Sequence, residues 1–543
     1  MPRVTVQIRW ADGAEQAAVS PSRAIERFVV ARGRYPRDEL VRRLRDGLAA
    51  ASERVRERYG VACTAAAEEL AAVQAGARVH GGGSHELCAV ESVARELAPP
   101  TFPAPDELSG HHEAIVVGGG QAGLAASRCL SKAGVEHLVL ERRRVACTWR
   151  EQRWDSFCLV TPNWQCQLPE YPYAGGDPDG FMVNEEIVSY LEGFAAASDP
   201  PLYEGVAVLR VCLHPDGGFR VQTSHGELTA GRVILAVGGY HVPKLPRIAE
   251  RLQDAVTQLH SSGYRNPGSL PDGAVLVVGS GQSGAQIAED LLLAGRDVHL
   301  CVGSAPRVAR FYRGRDCVAW LHDMGHYDMP VEHHSQGLAA RREPNHYVTG
   351  RDGGRDIDLR AHARDGMHLH GRLLDVHGTV VALAGDLRAN LDAADGTAER
   401  IKRAIDEWIE RGGIDAPTEP PYAPVWTPPS DGGGTLDLEQ AGIGTVIWST
   451  GFRSDWSWID VPAFDGGGYP ANVRGVTSVP GLYVLGLPWL HSWGSGRFAG
   501  IARDAEYVAR HIESVHNIRH GDGARGAGGA DHRRYARAGA RDG

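Results

Sequence analysis

The stretch AIVVGGGQAG, residues 114–123, decides how this chain folds. Four apolar residues of strand type run into Gly118-Gly-Gly-Gln-Ala-Gly123, and residues 124–132 then read as helix up to the break at Gly134. HLVL (137–140) is a second strand that ends in Glu141. This is a strand–turn–helix–strand unit carrying GxGxxG, the pattern of a dinucleotide site. Gly118 permits the tight turn, Gly120 lets backbone amides approach a pyrophosphate, and Gly123 lets helix and strand pack closely. Gln121 and Ala122 open the helix, whose N-terminal amides stabilise phosphate charge. Glu141, 18 residues beyond Gly123, is placed to accept hydrogen bonds from a ribose diol.

The pattern returns at AVLVVGSGQSG (274–284), with Gly279, Gly281, Gln282, Ser283 and Gly284 in the matching places. In both copies 11 residues separate the third glycine from the helix-ending one, Gly123 to Gly134 and Gly284 to Gly295. Seven residues further on stand Glu141 in the first copy and Val302 in the second. A carboxylate there would repel a 2′-phosphate. Its absence, with Ser304, Arg307 and Arg310 following, points to NADPH at the second site and FAD at the first. One nucleotide stays and does redox chemistry, the other delivers hydride and leaves. The expected fold is α/β, with two Rossmann-like three-layer domains and a small α+β module at the N-terminus.

Composition limits the alternatives. A chain of 543 residues with 43% hydrophobic and 23% charged residues is globular and holds several folded units. A net charge of −10 provides no field for nucleic acid or anionic lipid. No apolar run approaches the roughly 18–20 residues that cross a bilayer. MPRVTVQIRW lacks a signal-type apolar region, and the nine cysteines show no CxxC, so a reducing cytoplasm is expected. The missing pair also argues against disulfide-reductase chemistry.

Residues 1–80 read as the small module: VTVQIRW (4–10) alternates as a strand, and 39–59 and 64–75 read as helices. Leu40, Leu44, Leu48 and Val55 share one face. Residues 81–112 read as a linker with a short helical patch between GGGS and PPTFPAP, 113–243 and 441–516 as a discontinuous FAD-binding domain, and 244–440 as the NADPH-binding domain with a substrate-region insert. Residues 517–543 read as a disordered tail.

With these residues in hand, residues 112–516 resemble the flavin-dependent monooxygenases with two dinucleotide sites, a group that includes N-hydroxylating and Baeyer–Villiger enzymes. RVACTWREQRWDSFCLVTPNWQCQLPEYPY (144–173) resembles the family's flavin-covering stretch, with Trp149 and Arg150 at its W-R position. HSSGYRNP (260–267) is similar to the H-x-x-x-Y half of its linker motif, which implies roles for His260 and Tyr264. Asp254 and Val256 stand where that motif has F-x-G. AVGGY (236–240) and STGF (449–452) resemble its paired A-T-G turns. The resemblance implies a cycle in which NADPH reduces FAD, dioxygen adds at flavin C4a, and the resulting hydroperoxide oxygenates a small molecule. A homo-oligomer is compatible with this class. Residues 1–80 similarly resemble a small nitrogen-starvation-response family, which points to a nitrogen-containing substrate. A reductase, dehydrogenase or oxidase without oxygen transfer, and a redox-sensing regulatory flavoprotein, remain alternatives.

Several other residues carry expectations. Trp149, Trp154 and Trp164 are candidates to shield the flavin, and Asn163 to hydrogen-bond its oxygen adduct; each has a plain core or turn reading beside it. His322 and His326 have i,i+4 spacing, but no carboxylate or cysteine completes a metal set, and no metal is expected. Arg351 or Arg355 is a candidate for holding an anionic substrate. His491 either faces the flavin or caps a turn.

Overall fold

The computed structural model describes residues 3–59, 63–95 and 102–521. Two parallel sheets carry the two fingerprints. In the first, strands run in the order Leu202–Glu204, His137–Glu141, Leu108–Val117, Gly226–Leu235 and Leu482–Val484, every neighbour parallel. The apolar run at 114–116 is fully buried, as expected of a strand covered on both faces. Phe219–Thr223 and Val208–Leu213 extend the Gly226–Leu235 strand as an antiparallel meander.

The second sheet has the order Thr257–His260, Ile443–Trp448, Ala274–Val278, Val298–Cys301 and His368–His370, again all parallel. The expected FAD-binding part resumes at residue 441 and so includes strand Ile443–Trp448. Instead this strand is inserted between the first and third strands of the second sheet, with all of residues 445–448 in the ladder. The chain recrosses only afterwards, at Gly451, where φ is +81°. There Val242–Pro243, just past the first of the two resembling turns, pairs antiparallel with Phe452–Arg453 at the end of the second, so the chain passes between the sheets as a short ribbon.

The N-terminal module is a four-stranded sheet backed by helices Arg37–Tyr59 and Thr64–His80. Leu40, Leu44 and Leu48 are buried in it. The expected linker 81–112 is in part structure, and a strand stands where a helical patch was expected. Leu87–Arg95 is a sheet strand, antiparallel to Val4–Arg9 and to Arg34–Pro36, and it buries Cys88 and Val90. Nor does the module stand apart. Buried Tyr35 donates from its hydroxyl to Ser269 O at 2.6 Å, and Arg43 Nη2 donates to Asp272 Oδ1 at 3.2 Å. The two units share one apolar core. At the other end helix Ile501–Gly521 reaches into the expected tail; residues 522–543 of that tail lie outside the described residues.

Candidate functional site

Both cradles are built by the same local chemistry. Gly118 has φ +109°, and a Cβ there would lie 2.7 Å from Ala236 O. A Cβ on Gly123 would lie 1.8 Å from Gly118 O. Only glycine allows the turn and the helix to close this tightly. Gly279 and Gly284 repeat the arrangement, at 2.7 Å from Ser449 O and 1.8 Å from Gly279 O. Gly120 and Gly281, by contrast, have nothing within 4 Å of a would-be Cβ. Each is the N-cap of its helix, Gln121–Lys132 or Gln282–Leu293, and neither gives a side-chain cap. The first-turn amides therefore face open space at the carboxyl end of a parallel sheet, where an anion is favoured. Residues of this kind fit a dinucleotide pyrophosphate at both places.

Glu141 ends the second strand of the first unit, and its Oε2 accepts from Gly119 N at 2.7 Å. Burial raises its carboxyl pKa, against the pull of the Gly119 and Arg143 amides. Gly486, at φ +77°, brings the end of strand Leu482–Val484 against Ala122. Beside it Trp149 Nε1 donates to Gln121 Oε1 at 3.3 Å and stacks on Phe498, ring centres 5.9 Å apart. Trp149, Phe498 and Gln121 thus wall the first cradle. Trp154 is core, edge-on to Phe157, and Trp164 packs on His322.

Other expected residues are committed elsewhere. Arg150 pairs with Glu192 on helix Asn184–Ser198. Asn163 is buried; its Nδ2 donates to Asp177 O and its Oδ1 accepts from Met182 N, so its amide braces the 177–182 loop. Tyr264 is fully buried and donates to Asp290 Oδ2 at 2.7 Å, anchoring the second fingerprint helix. His260 places Nε2 2.9 Å from Gly451 O and its ring edge-on to Phe452, at the crossover ribbon. Burial lowers its pKa, so the ring is neutral and Nε2 donates.

At the second cradle Gln282 Nε2 donates to Val348 O at 2.6 Å. Ser283 sits in the first turn of the helix, and Ser304 is exposed just beyond buried Val302. Arg307 and Arg310, expected to grip a 2′-phosphate, are instead 3% and 1% exposed. Arg307 Nε donates to Asp395 Oδ1 at 2.6 Å, and its guanidinium covers the Tyr422 ring. Arg310 Nη2 donates to Asp316 Oδ1 at 2.6 Å. Spacing brought these arginines near the site; the acid that neutralises Arg307 comes from a helix 88 residues further on, and the one that neutralises Arg310 lies six residues beyond it. Arg351 and Arg355 are likewise paired, with Asp290 and Glu289.

Three residues that sequence reasoning missed belong here. Ser449 Oγ is buried against the second cradle with no hydrogen-bond partner among the described residues. Arg153 lies over the Trp149 ring, and Arg497 precedes Phe498 and bonds Asn345 Oδ1. Neither arginine has a carboxylate partner among the described residues. Desolvation lowers the pKa of both, partly offset by Tyr240. Their side chains are only partly covered. No single motif marks them; each is one arginine in an arginine-rich chain.

Two open glycine cradles facing a shared ribbon, one of them walled by aromatics, define a flavoprotein that works with two dinucleotides. The family model described as pyridine nucleotide-disulphide oxidoreductase matches residues 115–321, and that of nitrogen starvation-induced protein NitG matches residues 5–93. An uncharacterized CzcO-like oxidoreductase of Geobacillus kaustophilus is 31% identical over 405 residues, covering 74% of this chain and 98% of that one. The chain belongs to the CzcO-like flavin-dependent oxidoreductases. The indole-3-pyruvate monooxygenase YUCCA1 of Oryza sativa is 32% identical over 198 residues, 36% of this chain and 48% of that enzyme. An ornithine N-hydroxylase from Kutzneria sp. 744, solved with reduced FAD, NADP+ and L-ornithine, shares the fold. Its TM-score is 0.51 at 16% identity, covering 75% of this chain and all of that one. Disulfide chemistry does not follow from the first model's description. All nine cysteines are free, and burial pushes thiols such as Cys129, Cys166 and Cys301 up to about 12, away from the reactive thiolate.

Proposed function

We propose that this enzyme is an NADPH-dependent flavin monooxygenase that oxygenates a small molecule. The observation that carries the reading is the pair of uncapped helix N-termini, Gly120–Gln121 and Gly281–Gln282, set on two parallel sheets that exchange chain through one ribbon. When bound, FAD supplies hydride acceptance and the activation of dioxygen. The first cradle's amides and Glu141 hold its pyrophosphate and ribose. The second cradle's amides hold the NADPH pyrophosphate, and Val302 with exposed Ser304 leaves room for a 2′-phosphate where an acid would repel it. Trp149 and Phe498 keep water from the flavin side, which favours coupling of dioxygen to substrate over its release as peroxide. Arg153 and Arg497 provide positive charge to a phosphate or an acidic substrate group. A fused nitrogen-starvation module supports a nitrogen-containing substrate, and nine unpaired thiols support a reducing cytoplasm. Among the described residues no helix is long and apolar enough to cross a membrane.

The test is NADPH consumption with amines, nitriles, sulfides and ketones under isotopically labelled dioxygen. Label in the organic product is expected. NADPH oxidation that yields only peroxide with every class assigns the protein to the simple oxidases instead.

A further inference from the structure

A second set of groups lies on the second parallel sheet, away from the cradles. Strands Val298–Cys301 and His368–His370 are parallel neighbours with His299 directly opposite His368. Period-two alternation brings residue 297 to the same face as His299, and His370 to the same face as His368. Asp297, His299 and His368 each offer one ligand atom, and these atoms lie within 4.8 Å of one another. Asp297 Oδ1 is 3.3 Å from His368 Nε2, and the His299 and His368 rings stack with centres 4.5 Å apart.

The structure assigns this cluster as a site for one divalent transition-metal ion of the zinc type. Two imidazoles and a carboxylate are the donor set such ions prefer, whereas calcium and magnesium want oxygen alone. His299 is buried, while Asp297 and His368 are each 55% exposed, so an ion enters from solvent and meets a fixed inner ligand. His370 Nε2 lies 2.9 Å from His299 Nδ1. With His299 donating from Nδ1, its Nε2 is left for the metal, the outer-partner arrangement that orients a ligating histidine. Three protein ligands leave a coordination position for water. The ion would tie the sheet's edge strand, His368–His370, to its neighbour. The site begins at the amino end of strand Val298–Cys301, whereas the nucleotide cradle is at the carboxyl ends. The histidine pair singled out by helical spacing, His322 and His326, completes no such set among the described residues.

The test uses the full-length protein, stripped with a chelator and titrated with Zn2+ by calorimetry and with Co2+ by visible absorption. A single equivalent is expected, with a rise in Tm on Zn2+ addition. His368→Ala and Asp297→Asn change exposed side chains and keep the fold. Each should weaken binding at least as much as the roughly 10–100-fold typical of losing an outer partner, the effect expected for His370→Ala. The His322→Ala/His326→Ala double variant should bind as the parent does. Absence of stoichiometric binding, or undiminished binding in His368→Ala, overturns the assignment and leaves adventitious surface histidines.

Discussion

At the scale of single residues, glycines that look alike in the motif do different work. Gly120 has an extended φ of −80° and open space where a Cβ would go, so Gly120→Val should fold and yet lose FAD. The purified variant is expected to be colourless with an apoprotein Tm close to that of the stripped parent. Gly123→Ala drives a Cβ into Gly118 O and should fail as a folded protein, read by loss of soluble yield. Arg307 makes a contrasting case. Removing one partner of a buried pair costs about 3–5 kcal/mol, here about 3 because Arg360 Nε still donates to Asp395. Arg307→Ala should therefore lower Tm and leave the NADPH-to-NADH ratio of kcat/KM unchanged. Ser304→Glu should shift that ratio toward NADH by about tenfold, a difference of roughly 1.4 kcal/mol in binding. Glu289, 2% exposed on the second fingerprint helix, has its carboxyl pushed up to about 7 by burial, with Arg355 pulling the other way. Below its ordinary 4.5 it is protonated in folded and unfolded chains alike. Between 4.5 and 7 the folded chain holds the proton that the unfolded chain has released, so stability falls as pH rises, by about 3 kcal/mol at most. Glu289→Gln should flatten the decline of Tm across that window.

At the scale of elements, the fingerprint strands and helices were legible because period, glycine and burial agree. AVLVV at 274–278 is buried at all five positions, as a doubly covered strand requires. Leu87–Arg95 was not legible. It alternates weakly, and the glycine run before it reads as punctuation, so its strand character depends on partners 50 or more residues away. Tyr35 shows the same dependence: in sequence it is one aromatic, but in the fold it joins the N-terminal module to the second unit. Tyr35→Phe keeps the packing but removes the bond to Ser269 O and the acceptor of the buried Val30 amide, so a loss of about 2 kcal/mol in denaturant unfolding is expected. A larger loss, with a changed m-value, would show that the module detaches altogether.

At the scale of the whole molecule, the two nucleotide units are coupled through the ribbon at 242–243 and 452–453, and His260 fastens it. His260→Ala removes that hydrogen bond and the ring contact with Phe452 without touching either cradle. FAD content should stay at the parent level, while a larger share of NADPH electrons appears as peroxide because the units close less tightly. Unchanged coupling would confine His260 to local packing.

By itself the sequence determined the two cradles, their order and the missing acid at Val302, because turn sterics and helix amides are local properties of neighbouring residues. Tertiary structure alone decided which charges are available to a ligand. Arg307 and Arg351 are matched by carboxylates brought in from distant segments, Arg310 by Asp316 six residues on, Arg153 and Arg497 by none among the described residues, and Asp297 meets His368 only because two strands lie in register. Whether a charged side chain binds a ligand or braces the fold depends on what packs beside it, and that is settled by the folded chain as a whole.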